Sequence, residues 1–157
     1  MQHKLFNLVT QTAKQSKDQA YSAIQPSLYL KARVKKQVGH GKTVLITGAS
    51  SGLGEGMARL FAKLGYNLAI CARRTDRLEQ LTTELKDSYP LIRVEYKALD
   101  VSDYDAIFKV FNAFKADFGQ IDRVVVNAGV GESRRIGKGR FETNRRTAEI
   151  NFVSALA

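Results

Sequence analysis

One run constrains the fold of this chain more than any other. The apolar segment Val44-Leu45-Ile46 leads straight into Thr47-Gly48-Ala49-Ser50-Ser51-Gly52-Leu53-Gly54, and a helical pattern follows. Three glycines admit backbone conformations closed to other residues, and a helix starting just beyond them offers unbonded N–H groups to an anion. Strand, turn and helix in that order describe a phosphate cradle. The spacing of Gly48, Gly52 and Gly54 is Gly-x-x-x-Gly-x-Gly rather than the commoner Gly-x-Gly-x-x-Gly, but the tasks are similar. One glycine allows the tight turn, another close approach to a pyrophosphate, and a third close contact between helix and strand. Gly41-Lys42-Thr43 has the ending of a nucleotide-hydrolase loop, yet it precedes the first strand and lacks the earlier glycine.

From Lys42 onward, short apolar runs alternate with longer amphipathic segments. Residues 44–47 are the first strand. Leu53, Met57, Leu60, Phe61 and Leu64 recur at helical spacing as one stripe of the first helix, with Gly65 as its stop. Residues 67–71 form the second strand. Leu78, Leu81 and Leu85 mark a second helix that starts at Thr75 or Asp76 and ends before Tyr89-Pro90. The third strand falls within 91–99. Asp103 suits the cap of a third helix whose stripe is Ile107, Val110, Phe111, Phe114 and Phe118, ending at Gly119. The run 121–126, with Val124-Val125-Val126 unbroken, is expected as a strand buried on both faces. A polar, basic loop is expected over 132–146, followed by a helix that begins near Thr143, carries Ile150, Phe152, Val153 and Leu156, and is cut off at Ala157. The alternation predicts an α/β fold, a doubly wound parallel sheet of Rossmann-like type, incomplete, with ligands at the carboxyl ends of the strands.

A chain of 157 residues buries about two thirds of its unfolded surface in one core, so a single domain over 42–157 is expected. Residues 1–41 stand apart in composition. The net charge of +10 is concentrated there: up to Lys42 there are eight basic residues against Asp18 alone, and the remainder carries only +3. Leu5, Leu8, Val9, Ala13, Ala20 and Ile24 suggest a basic amphipathic helix before Pro26, and Gly39-His40-Gly41 a hinge. This extension reads as an appendage packing on the domain or on a partner, and its basicity also suits weak peripheral contact with an anionic membrane. No nucleic-acid partner is expected, because the charge lacks interleaved aromatics on a platform. The basic residues Arg134, Arg135, Lys138, Arg140, Arg145 and Arg146 read as a solvated loop. Cys71 is the single cysteine; its apolar neighbours place it in a buried strand, and a reducing cytoplasm is the simplest fit. His3 and His40 stand apart from it, so no metal site is expected. No apolar run reaches the roughly 18 residues a membrane span requires.

Three ordered motifs carry a resemblance to a known family. Thr47 to Gly54 resembles the cofactor loop of the short-chain dehydrogenase/reductase family, Asp100-Val101 after the third strand a second signature, and Asn127-Ala128-Gly129 after the fourth a third. Val126 stands where the family often has another asparagine. The resemblance implies a nicotinamide cofactor across the strand ends, with Asp100 near the adenine and Asn127, Ala128 and Gly129 beside the adenosine ribose and the central strands. Ser50 and Ser51 either add hydroxyl donors to the phosphates or serve as turn residues. At the end of the second strand, where an acidic residue would bind ribose hydroxyls, this chain has Arg73 and Arg74. Guanidinium groups suit a 2′-phosphate, so NADP(H) is favoured over NAD(H). Arg74 is the one that could instead be a solvated first-turn residue of the second helix, with Arg73 sufficing alone.

In this family a tyrosine donates a proton to the carbonyl oxygen, a lysine lowers its pKa, a serine orients the carbonyl and an asparagine supports a water relay. Asn151 sits where the family asparagine is expected. None of the six tyrosines has a lysine four residues on; that pair and the serine are expected on a fifth strand and following helix that this chain lacks. The resemblance implies the N-terminal part of an oxidoreductase acting on a carbonyl or alcohol, homo-oligomeric at full length. The alternative is a non-catalytic nucleotide-binding or interaction module.

Overall fold

Alternation along β1 (Thr43–Thr47) sends Val44 and Ile46 to one side of a sheet and Leu45 to the other, and apolar clusters form on both sides. The computed structural model describes residues 38–131 and 139–157. The predicted extension therefore lies outside the described residues up to position 37, as do Arg134, Arg135 and Lys138. Strands β1, β2 (Asn67–Ala72), β3 (Val94–Ala98) and β4 (Arg123–Val125) form one parallel sheet in the order β3-β2-β1-β4. Helices α1 (Gly52–Lys63), α2 (Thr75–Ser88) and α3 (Tyr104–Phe118) follow β1, β2 and β3 in turn, and α4 (Phe141–Asn151) comes after β4. Sheet order and alternation are those of the expected Rossmann-like fold.

The two sides are built differently. On one, Val44, Ile46, Leu68, Ile70 and Val94 pack with Ala58 and Ala62 of α1 and with Leu78, Leu81 and Leu85 of α2. On the other, Leu45, Ala69, Cys71 and Leu99 pack with Phe114 of α3. Phe114 is fully buried, and removing such a ring from water contributes about 1.5–3 kcal/mol. Asp103 does cap α3, its Oδ1 accepting the backbone N–H of Ala106 at 3.0 Å.

Three expectations are corrected. The stripe Leu53-Met57-Leu60-Phe61-Leu64 is not the buried face of α1: Leu53 is 81% exposed and Leu60 54%, whereas Gly54, Ala58 and Ala62 are buried. The helix lies close to the sheet, and only small side chains fit at that contact; Met57 and Phe61 pack at its margin. Second, β4 is not buried on both faces. It is an edge strand among the described residues, and Val124 and Val126 are about half exposed, at 51% and 54%. Third, α4 begins at Phe141 rather than near Thr143 and ends at Asn151, giving way to a 3₁₀ turn, Val153–Leu156. Of its expected apolar residues only Ile150 is buried; Phe152, Val153 and Leu156 are exposed. The segment Gly39-His40-Gly41 is a turn held to the domain, with the Gly39 N–H donating to Leu64 O at 3.0 Å.

Val124 and Val126 share an apolar groove with Phe108 and Phe111 of α3 and Leu156 of the 3₁₀ turn. An edge strand flanked by such a surface is a template for association. The chain as given is expected to self-associate at high concentration, and Val124→Lys/Val126→Lys to shift it toward monomer; light scattering reads both. A clean monomer without the substitutions would contradict this.

Candidate functional site

The carboxyl ends of β1, β2 and β3, with the segment that follows β4, converge on one cleft. Its lining includes Gly48, Ser50 and Ser51 after β1, Arg73 and Arg74 after β2, Asp100 and Val101 after β3, and Asn127, Ala128 and Gly129 after β4. Ten of the residues singled out in the sequence thus meet in one place. Gly52 opens α1 with φ +58°, and Leu53 and Gly54 follow it on the helix; these three do not line the cleft.

Gly54 acts from behind. A Cβ at this position would overlap Gly48 O and the Asn127 side-chain nitrogen, so α1 touches the loop and the β4 segment there only because the residue is glycine. Gly48 has φ +68°, and a Cβ on it would come within 2.7 Å of Ala128 Cα. Both residues are therefore fixed by sterics.

Thr47 joins the loop to β4. Its Oγ1 accepts the backbone N–H groups of Asn127 and Ala128, each at 3.0 Å, while Asn127 Nδ2 donates to Thr47 O at 3.1 Å and Gly48 O at 3.3 Å. The Asn127 amide nitrogen thus closes the floor of the cleft. Asn151 makes a similar clasp with the next residues: its Oδ1 accepts the Val130 N–H, and its Nδ2 donates to Val130 O, both at 2.8 Å. It stands at the end of α4, beside a cleft that its neighbour Ile150 lines.

The electrostatics of the cleft favour an anion on the β2 side. Arg74, exposed at the N-cap of α2, is not free in solvent: its guanidinium donates to Ser51 Oγ at 2.6 Å and to Ser50 Oγ from Nη2 at 3.2 Å and Nε at 3.4 Å. Asp100 is an acidic residue in the lining, and the N–H and hydroxyl of Ser102 both donate to its Oδ1, at 3.0 and 2.8 Å. Those bonds, and then the positive charges of Arg73 and Arg146, hold its carboxyl below the usual range. Arg145 pairs with Glu142 and Glu149 along α4. Cys71 also borders the cleft, but its side chain is fully buried, and that burial pushes the thiol up to about 12, which keeps the nucleophilic thiolate scarce.

Sequence reasoning passed over Thr47 as more than the first letter of a motif, and over Ala72, Leu99, Val130 and Ile150 in the lining. A threonine ending a strand just before a glycine turn was the available signal for the first. The others adjoin residues already singled out.

A parallel sheet with a glycine-rich turn after its first strand and a cleft across its strand ends is the architecture of a dinucleotide-binding domain. The family model described as short chain dehydrogenase matches residues 42–157. An uncharacterised oxidoreductase of Mycobacterium tuberculosis is 53% identical over 113 residues, which cover 72% of this chain and 45% of that protein. Among solved structures, an alcohol dehydrogenase of Thermococcus sibiricus complexed with 5-hydroxy-NADP aligns at TM-score 0.70 and 37% identity, covering 73% of this chain and 48% of the other. L-Sorbose reductase of Gluconobacter frateurii, complexed with NADPH and L-sorbose, aligns at TM-score 0.70 and 33% identity, covering 75% and 44%. The chain belongs to the short-chain dehydrogenase family of oxidoreductases. It spans about half the length, or somewhat less, of the relatives it matches. No helix among the described residues is long and apolar enough to cross a membrane.

Because Thr47 Oγ1 serves two backbone donors, Thr47→Val is expected to lower the unfolding free energy by about 1–3 kcal/mol. Urea denaturation should show a lower midpoint at unchanged slope. Thr47→Ser, which keeps the acceptor, should retain most of the stability.

Proposed function

We propose that this chain forms the cofactor-binding part of an NADP(H)-dependent oxidoreductase that moves hydride between nicotinamide and a small carbonyl or alcohol substrate. The observation that carries the reading is the cleft itself: a glycine turn and two arginines brought together at the ends of adjacent parallel strands. Its residues fit the group. Gly48, Ser50 and Ser51, just ahead of α1, would take the pyrophosphate; Arg73 and Arg74 would take a 2′-phosphate; Asp100 and Val101 would flank the adenine. Asn127, Ala128 and Gly129 would form the wall beside the adenosine ribose. When bound, the nicotinamide supplies the hydride. Asn151, clasped to Val130, would hold the backbone after β4 in place and support a water relay from the end of α4. NADP complexes of the two similar solved structures support the choice of cofactor.

A second reading, a nucleotide-binding module without turnover, is favoured by one fact of sequence: no tyrosine is followed four residues later by lysine. On the family resemblance such a pair would supply the proton, and these 157 residues contain no Tyr-x-x-x-Lys. Both readings share the cofactor cleft. The homo-oligomer expected at full length is a proposal of the same kind, as is the assignment of residues 1–41 as an appendage to the 42–157 domain.

Calorimetric titration is expected to show tighter binding of NADPH than of NADH, and Arg73→Asp to reduce that preference by about tenfold or more, the scale of a charge-assisted hydrogen bond. An unchanged ratio would count against the role of Arg73. The chain as given is expected to give no turnover of NADPH with a test aldehyde at rates near the enzyme median of about 10 s⁻¹. Turnover at such a rate would refute the absence of the proton donor.

A further inference from the structure

Helices that join parallel strands run back along the sheet, so α1, α2 and α3 end at the amino ends of the strands, at the opposite end of the sheet from the cleft. Each carries a lysine in its last turn: Lys63, Lys86 and Lys115. Lys42 just before β1, Arg93 just before β3 and Arg123 at the start of β4 stand at the same end, and all six residues are exposed. A lysine in a last turn offsets the partial negative charge of its own helix end, but the topology gathers these charges onto one face. Among the described residues the acids of that end are Asp87, Glu95, Asp117 and Asp122. Three of them are engaged: Glu95 by Arg93, Asp117 by Lys97, and Asp122 by the Thr43 N–H.

The chain enters the domain at this basic end through a fixed turn. Gly39 packs so closely on Tyr66 that a Cβ there would fall 2.0 Å from the ring. The Lys42 N–H donates to Gly39 O and the Asn67 N–H to Lys42 O, both at 2.9 Å. Residues 39–42 are thereby tied to the start of the sheet, and Val38 and Leu64 beside them are exposed apolar residues. The sequence before Val38 is tethered here, and it holds seven basic residues against Asp18 alone. Its apolar residues Leu5, Leu8, Val9, Ala13, Ala20 and Ile24 recur at a spacing that predicts one helical stripe.

We propose that the chain is a peripheral protein of anionic lipid surfaces, seated on the bilayer through residues 1–37 and the basic amino end of the sheet, with the cleft facing the aqueous phase. A lipid interface takes both components, an apolar stripe at the acyl boundary and basic side chains at the headgroups. A nucleic acid would satisfy the charge and leave the stripe without a partner. The orientation follows from the topology: the tether and the lysines share one end of the strands, and the cleft lies at the other. A ligand of the cleft then exchanges without detachment from the membrane. The proposal goes beyond the cofactor reading and does not depend on it.

The test is flotation of the full chain with vesicles of phosphatidylcholine, alone or mixed with phosphatidylglycerol, a format in which aggregated protein stays at the bottom of the gradient. Binding is expected to the mixed vesicles and not to the neutral ones. A basic residue at an anionic surface contributes about fivefold to partitioning, so Lys31→Glu/Arg33→Glu/Lys35→Glu/Lys36→Glu is expected to weaken binding about a hundredfold or more. Leu5→Ser/Leu8→Ser, which removes apolar area and no charge, should weaken it about tenfold or more. Lys86→Glu/Lys115→Glu should weaken it about tenfold more than Arg77→Glu/Lys109→Glu, which makes the same change of charge away from the amino end. Absence of flotation, equal binding to both kinds of vesicle, or an equal loss from the two double variants would each overturn the proposal. A chain that retards RNA in a gel but does not float with anionic vesicles overturns it in favour of a nucleic-acid partner. If circular dichroism shows that a glutamate variant does not fold, glutamine at the same positions replaces it, with the same ordering expected. Flotation reads no cofactor, so its failure leaves the cofactor reading intact, and failure of that reading leaves flotation unchanged.

Discussion

The structure depends on a steric fact at one point, where α1 meets the end of β1 and the segment after β4 with no side chain between them. Gly54 leaves just enough room for Gly48 O and the Asn127 amide, and Thr47 then binds the opposite backbone through its hydroxyl. The start of α1, the turn before it and the wall beside it are thereby fixed relative to one another. Ala58 and Ala62 extend the same close contact along the helix. Large apolar side chains are not what sets the distance of α1 here. Its large apolar residues are mostly outside the contact, and the closeness of the backbones does the positioning.

From this frame the cleft acquires its character in two parts. Its floor is backbone and amide, supplied by Gly48, Asn127 and Ala128, and is nearly neutral. Its β2 side is cationic, and the acidic side chain of Asp100 is occupied in part by Ser102. Charge therefore sits at the end of β2, and the neutral floor lies at the end of β1 and along the segment after β4. Under the proposed reading, this division of labour suits a phosphorylated dinucleotide.

Much of this was legible in the sequence because the relevant signals are local. The glycine turn, the Asp103 cap, the buried Cys71 strand position and the alternation of strand and helix each follow from residues close together in the chain. What was not legible involves choices between neighbours. Periodicity rewards large apolar residues, so Leu53, Leu60 and Leu64 drew the face of α1 that Gly54, Ala58 and Ala62 in fact form. The three valines of 124–126 record the apolar character of β4 but not whether anything covers it; among the described residues the strand is an edge. Position in the sequence made Arg74 the candidate for a solvated first-turn residue. Only the fold shows that Arg74 turns back to two serines.

The thiol of Cys71, buried under the cleft with its Sγ donating to Ile46 O, has a consequence outside cofactor chemistry. It borders both the cofactor cleft and the apolar groove beside β4, yet its side chain is fully buried, so oxidants or alkylating reagents reach the sulfur only when the packing around it opens. The same burial keeps the thiolate scarce while that packing is closed. Oxidative damage at this position is thus governed by the opening equilibrium of that packing rather than by the intrinsic reactivity of the sulfur.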